Sequence, residues 1–236
     1  MYTIHRQVSP STCNEQGRLK LFSAFQMLQD CSELWMDSEP YLKRRYEEEG
    51  RAQLLASRQV EVLRVPRYGE KLSVTTSIYD CQPLFGFRNT VIRDEKGEPC
   101  YLTWSMGAFV DRETGRLKKL DQALLDSIVY DEKIEMPYRD RRIVVPKDCE
   151  PELAGTFPVM LNDIDYNHHM NNANYIRIAC ECLPADFDPK HIRAEWKLPA
   201  RRGDMLTAQR VVDSATVFIT IINQEGKVCT IMEFQQ

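Results

Sequence analysis

Residues 60–74, VEVLRVPRYGEKLSV, and residues 194–208, AEWKLPARRGDMLTA, carry one pattern twice. Aligned, they set Gly69 on Gly203, Glu70 on Asp204 and Leu72 on Leu206, and each runs from a strand-like segment through a basic turn into a second strand. Further on, IRDEKGEPC (92–100) matches INQEGKVC (222–229), with Gly97 on Gly226 and Cys100 on Cys229. Two matches at nearly the same offset and in the same order indicate an internal duplication, so the fold is one unit used twice.

The unit reads outward from there. Residues 1–8 form a strand, 10–17 a polar turn, and from Leu19 the apolar residues Leu21, Phe22, Phe25, Leu28, Cys31, Leu34 and Trp35 recur at helical spacing over a wide face. Pro40 and the charged run YLKRRYEEEG follow, with Gly50 as a C-cap. The period then drops to two over 53–65, 71–80, 85–93 and 99–110, which reads as four strands joined by short turns. A helical piece spans 121–128, and the charged, proline-punctuated stretch 131–150 reads as a linker. The order then repeats: a strand near 155–161, a polar loop, a helix over 170–182, and strands over 191–198, 204–213, 216–222 and 228–235. A sheet curved around one long helix buries a broad apolar face on most sides. The expectation is an α+β tandem hotdog: a first half over 1–130, the linker, and a second half over 151–236.

Composition narrows the function. A hydrophobic content of 43%, a charged content of 28% and a net charge of -4 describe an ordinary folded chain. They leave no basic excess for nucleic acid. The strongest apolar run, 217–222, is strand-sized and far short of the roughly 18 residues of a membrane span, so no membrane insertion is expected. Cys13, Cys31, Cys81, Cys100, Cys149, Cys180, Cys182 and Cys229 form no CxxC pair. With no secretory signal at the start, this spacing reads as reduced thiols in a cytoplasmic protein.

The chemistry concentrates in DIDYNHHMNNANYI, residues 163–176. Polar groups at that density add nothing to a core and each needs a partner, so they mark a site. In an extended loop Asp165, Asn167 and His169 would project to one side and converge, with Tyr166 and His168 on the other. The following helix start offers free N–H groups and a positive dipole end to a developing oxyanion. Helix capping by Asp165, Asn167 or Asn171 accounts for one of these residues, not the set. No metal is expected, because adjacent His168 and His169 point apart and no HxxxH spacing occurs. The first half's counterpart, STCNEQGR (11–18), sets Asn14 opposite Asp165 and Arg18 opposite His169, so the first half is expected to supply an acyl-chain pocket.

The loop resembles the D-x-N-x-H-V-N-N-x-x-Y signature of the acyl-acyl carrier protein thioesterases, the FatA and FatB type of plants and their bacterial relatives, with Met170 in place of Val. RVPRYGEKLSV and WSMGAFVDRETGRLKKL (104–120) are similar to that family too. The resemblance implies a tandem hotdog that hydrolyses acyl carrier protein thioesters without a cofactor. It places the family's catalytic Asp, Asn and His on Asp165, Asn167 and His169. Plant members carry Glu-Cys in the next strand, where this chain has Pro199 and Ala200. A cysteine nucleophile is therefore excluded at that position, and Glu195 is a weak substitute for the acid. Asp165 then serves as general base for water or attacks directly. An acyl-CoA thioesterase and a non-catalytic acyl-binding module are the alternatives. Acyl carrier protein is the expected partner, met by a basic rim drawn from Arg193, Lys197, Arg201, Arg202, Arg210, Arg139, Arg141 and Arg142, and a second copy of the chain is a further candidate.

Overall fold

The computed structural model describes residues 1–236. The first half runs β1 (Tyr2–Gln7), α1 (Leu21–Leu34), a 3-10 turn (Trp35–Ser38), α2 (Pro40–Glu48), β2 (Arg51–Val62), β3 (Lys71–Cys81), β4 (Phe85–Arg93), β5 (Pro99–Asp111) and the short α3 (Gln122–Ser127). The second runs β6 (Glu152–Pro158), a 3-10 turn (Leu161–Asp163), α4 (Asn172–Glu181), β7 (His191–Trp196), β8 (Met205–Asp213), β9 (Thr216–Ile222) and β10 (Val228–Gln235). All strands join one antiparallel sheet in the order β1-β3-β4-β5-β2-β7-β10-β9-β8-β6. Read from its middle outward, each side repeats the other: β7 answers β2, β10 answers β5, and β6 answers β1. The two hotdog units meet edge to edge.

The duplication extends to backbone angles. Gly69 and Gly203 turn at φ +88° and +91°, and Gly97 and Gly226 at +83° and +75°. Asp94 Oδ1 accepts from the N–H groups of Lys96 and Glu98, while Asn223 Oδ1 accepts from those of Glu225 and Lys227. Cys100 and Cys229 are buried at matching places, as are Leu72 and Leu206.

Both long helices lie on one face of the sheet. Phe25, Leu28 and Cys31 of α1 and Tyr175, Ile176 and Ala179 of α4 belong to one core cluster with Val74, Ile92, Ile219 and Met232, which bridges the halves. Full burial of side chains of this size is worth roughly 1.5–3 kcal/mol each. The apolar face of α1 is narrower than its sequence suggests, since Leu34 is exposed. Residues 131–150 are irregular and lie across the opposite face of the sheet. Gln59 Nε2 donates to the Arg139 carbonyl (2.6 Å) and its Oε1 accepts from the Arg139 N–H (3.0 Å). Met136 is buried with Trp104 and Met106, and Ile143 with Val211 and Phe218.

The two boundaries that flank the polar loop fall differently from the sequence reading. β6 ends at Pro158, because the next residues turn and Asp163 Oδ2 accepts from the Met160 N–H (2.8 Å). α4 starts at Asn172, because Met170 is still bridged to Ile164 and bonded to the Ala200 carbonyl (2.9 Å). No helix is long and apolar enough to cross a membrane.

A Cβ at Gly203 would meet nothing within 4 Å, so a substitution there strains only the backbone. Gly203→Ala, and equally Gly69→Ala, is expected to lower stability by about 1–2 kcal/mol. The measurement is the urea midpoint at unchanged m-value.

Candidate active site

The 163–176 stretch is not extended. The Asp165 N–H donates to the His169 carbonyl (3.0 Å) and the His168 N–H to the Asp165 carbonyl (3.0 Å), which folds 165–168 into a tight turn. Asp165 Oδ1 stabilises it by accepting the Asn167 N–H (2.9 Å), and His168 takes a left-handed φ of +62°. Asn14 builds the same turn in the first half. Its N–H reaches the Arg18 carbonyl (2.8 Å), its Oδ1 accepts from the Gln16 and Arg18 N–H groups, and Gly17 holds φ +71° where His168 stands. The strand-like alternation that would gather Asp165, Asn167 and His169 on one side therefore does not apply.

The turn sorts the residues differently. Asp165, Tyr166 and Asn167, together with Asn171, line a cleft of about 340 Å³ whose other wall is Gln29, Asp30, Glu33 and Leu34 of α1. His169 lies half-buried beyond the turn, outside that lining. Burial, with the Arg201 guanidinium next in weight, holds its imidazole below the ordinary histidine range, and Asp165 pulls the other way. His169 is thus a neutral base at neutral pH.

The remaining polar residues of the stretch anchor it. Asp163 is buried, and its Oδ1 accepts from Arg177 Nη2 of α4 (2.7 Å). Its carbonyl takes the Asn171 N–H (2.8 Å) and Asn174 Nδ2 (3.0 Å). Asn171 caps α4, accepting from the Ala173 N–H (3.0 Å), and its Nδ2 approaches Asp165 Oδ2 (3.4 Å). Capping thus claims Asn171, structure claims Asp163, and Asp165 and Asn167 keep polar atoms facing the cleft.

Sequence reasoning missed the α1 wall. Glu33, in the last turn of α1, accepts a hydrogen bond from the Tyr166 hydroxyl (3.1 Å), so Tyr166 faces the cleft as well. Beneath it Arg88 donates to the Ser32 carbonyl (3.1 Å) and stacks on Trp35, 4.5 Å from the ring centroid. Arg58 and Arg88 flank Ser105 across β2, β5 and β4, both buried. Burial lowers each guanidinium to about 10, still charged at neutral pH. Glu33 is exposed at the cleft mouth, where the walls displace part of its solvation. That loss pushes its carboxyl above the usual range against the pull of the Tyr166 hydroxyl and Arg88.

The Pro199–Ala200 position is structural. Ala200 is buried, with its N–H donating to the Tyr175 hydroxyl (2.8 Å), while Pro199 is exposed. Glu195 cannot replace the missing acid: Ala194 beside it packs in the core under the helices, so Glu195 points through the sheet to the opposite face. His191 pairs with Glu61, a structural role, and His5 is exposed.

Two units around one sheet, each with its own helix, and a polar turn leading into the second helix define a double-hotdog protein of the thioesterase kind. The chain belongs to the acyl-ACP thioesterase family: the family's N-terminal domain matches residues 2–128 and its C-terminal domain residues 147–233. It is 26% identical over 164 residues to a chloroplastic acyl-[acyl-carrier-protein] hydrolase of Cuphea viscosissima, a match that covers 66% of this chain and 40% of the relative's length. In fold it is similar to an acyl-ACP thioesterase from Bacteroides thetaiotaomicron (TM-score 0.87, 19% identity, 99% of this chain and 96% of that one). It is also similar to a 12:0-ACP thioesterase from Umbellularia californica (TM-score 0.84, 14% identity, 99% and 96%).

Asp163→Ala strips the Arg177 and Met160 partners and is expected to cost about 1–3 kcal/mol of stability, read by thermal or urea unfolding. Arg201→Gln removes a cation beside His169, so its NMR titration should move upward toward the ordinary value near 6.5.

Proposed function

We propose that the chain hydrolyses the thioester of fatty acyl-acyl carrier protein, releasing free fatty acid and so ending chain synthesis. The observation that carries this is the cleft in which Asp165 and Asn167 stand beside the start of α4. Asp165 acts as the base that draws a proton from water. Asn167 offers its amide to that water or to the thioester carbonyl, and the first-turn N–H groups of α4 stabilise the oxyanion. His169, half-buried beyond the turn and outside the cleft lining, carries no step in this reading.

The first half supplies the acyl-chain pocket in this reading. Trp35, Leu42, Tyr46, Ile78, Phe109 and Ile128 line a mostly apolar gap of only about 20 Å³, room for one water, so an acyl chain there requires the first half to open. The eight unpaired cysteines support a reducing, cytoplasmic setting.

For the carrier protein, several basic residues drop out. Arg193 is committed to Glu233, Arg210 to Glu152, and Lys197 lies against Glu195. Exposed Arg201 and Arg202 have no ion pair, and Arg201 lies close enough to His169 to act on its imidazole, which supports the two as the contact for an acidic partner. Reversing both to Glu should raise KM for the carrier-protein thioester about 10-fold, an effect of roughly 1.4 kcal/mol. A small soluble thioester assayed at pH 8 should be unaffected, and added salt should narrow the difference.

Asp165→Asn tests the chemistry without disturbing the turn, since Asn14 already builds the same turn in the first half. The rate should fall about 10²–10⁴-fold with unchanged stability. An unchanged rate removes Asp165 from the mechanism. Turnover of acyl-CoA in preference to acyl carrier protein would favour the CoA enzyme, and acyl binding without fatty acid release a binding module.

A further inference from the structure

Three carboxyl-bearing residues line the cleft: Asp30, Glu33 and Asp165. Asp30 is paired with Arg6 (3.4 Å). Asp165 is tied to its own turn through the Asn167 N–H (2.9 Å). Glu33 forms no ion pair within 4 Å, and its hydrogen bond comes from the Tyr166 hydroxyl of the opposite wall (3.1 Å). A hydrolase that uses Asp165 as base also needs a proton for the departing sulfur. Neutral His169 has none to give, and Pro199 and Ala200 hold no acid.

We propose that Glu33 of α1 is the general acid, placed in the active cleft by the first half of the chain. This rests on the thioesterase reading above. The step balances as follows. Asp165 takes a proton from water as the water oxygen bonds to the thioester carbonyl carbon, giving a tetrahedral oxyanion. The C–S bond then breaks, its electron pair leaves on sulfur, and the Glu33 carboxyl gives that sulfur its proton. Fatty acid and thiol depart, and the proton on Asp165 passes to Glu33 through cleft water. Two carboxyls of differing environment in one cleft supply the acid and base roles.

The groups facing Glu33 set its proton. Loss of solvation favours the neutral carboxyl, and Asp165 across the cleft does the same. The Tyr166 hydroxyl, Arg88 from β4 and Arg58 from β2 oppose it, while Asp30 on its own helix is held by Arg6. Because the carboxyl is raised, the acid form persists to higher pH than for a free glutamate. It is lost as pH rises, so Glu33 forms the alkaline limb of the rate profile.

The experiment compares wild type, Glu33→Gln, Glu33→Asp and Tyr166→Phe on two thioesters of one acyl group: an alkyl thioester, and an aryl thioester such as the thionitrobenzoate, whose thiol leaves without protonation. Glu33→Gln should lose about 10²-fold or more in kcat on the alkyl thioester and its alkaline limb, yet keep most of the rate on the aryl one. Glu33→Asp should recover part of the loss. Equal losses on both leaving groups, no loss at all, or a Tyr166→Phe variant that reproduces the Glu33→Gln result on both would overturn the acid role. A wild type inert toward both thioesters overturns the hydrolase reading itself. An active wild type with a leaving-group-blind Glu33→Gln overturns Glu33 alone.

Discussion

The pairing of β2 with β7 is the constraint on which the rest depends. Five residue pairs, Ser57 with Glu195 through Glu61 with His191, join two sheets that would otherwise end in open edges. Because the two strands are antiparallel and occupy the same place in their units, they relate the halves by an approximate two-fold and set α1 and α4 side by side on one face. The cleft lies between α1 and the polar turn that leads into α4. Thr230 of β10 donates to the Glu195 carbonyl (2.7 Å) and Gln59 of β2 clasps the strap at Arg139, so the seam is held from both faces.

Within that symmetry the two polar turns diverged in chemistry and not in shape. Asn14 and Asp165 make the same backbone device, and either side chain can accept the required N–H. Only Asp offers a carboxylate. Gly17 meets the positive φ without strain, and His168 is among the non-glycine residues that enter this region more readily than most. Arg18, opposite His169, reaches across to Asp188 of the second half (3.2 Å) and ties the units together. One copy of the turn ties the units together and the other lines the cleft.

The secondary structure was legible because its signals are local. Period-two strands, the turn glycines and the two helices fall within a few residues of where patterning sets them, and the repeat at 60–74 and 194–208 carried the fold class. The polar loop at 163–176 was legible in composition but not in conformation. Strand-like alternation presumes an extended backbone, and the side-chain bond from Asp165 to the Asn167 N–H is a local competitor that patterning ignores. Glu33 was not legible. An acidic residue between Cys31 and Leu34 at the end of an amphipathic helix has the register of any solvated position. What distinguishes it is the opposite wall, some 130 residues away in sequence.

The substitution at Pro199 and Ala200 gives that long-range contact its meaning. The second half spends this position on anchoring, with the Ala200 N–H on Tyr175 and its carbonyl on Met170, so it offers no ionisable group to the cleft. On the opposite wall, β4 and β2 bring two buried guanidiniums beneath α1, and Arg58 Nε has no hydrogen-bond partner. Two uncompensated buried cations would be costly, which favours a carboxyl above them. The same carboxyl faces Asp165, whose charge resists a second anion. Glu33 therefore stands between opposing fields, the guanidiniums favouring its anion and Asp165 its neutral form. A single hotdog unit has only one of those fields, and the cleft needs both copies of the duplicated unit to be complete.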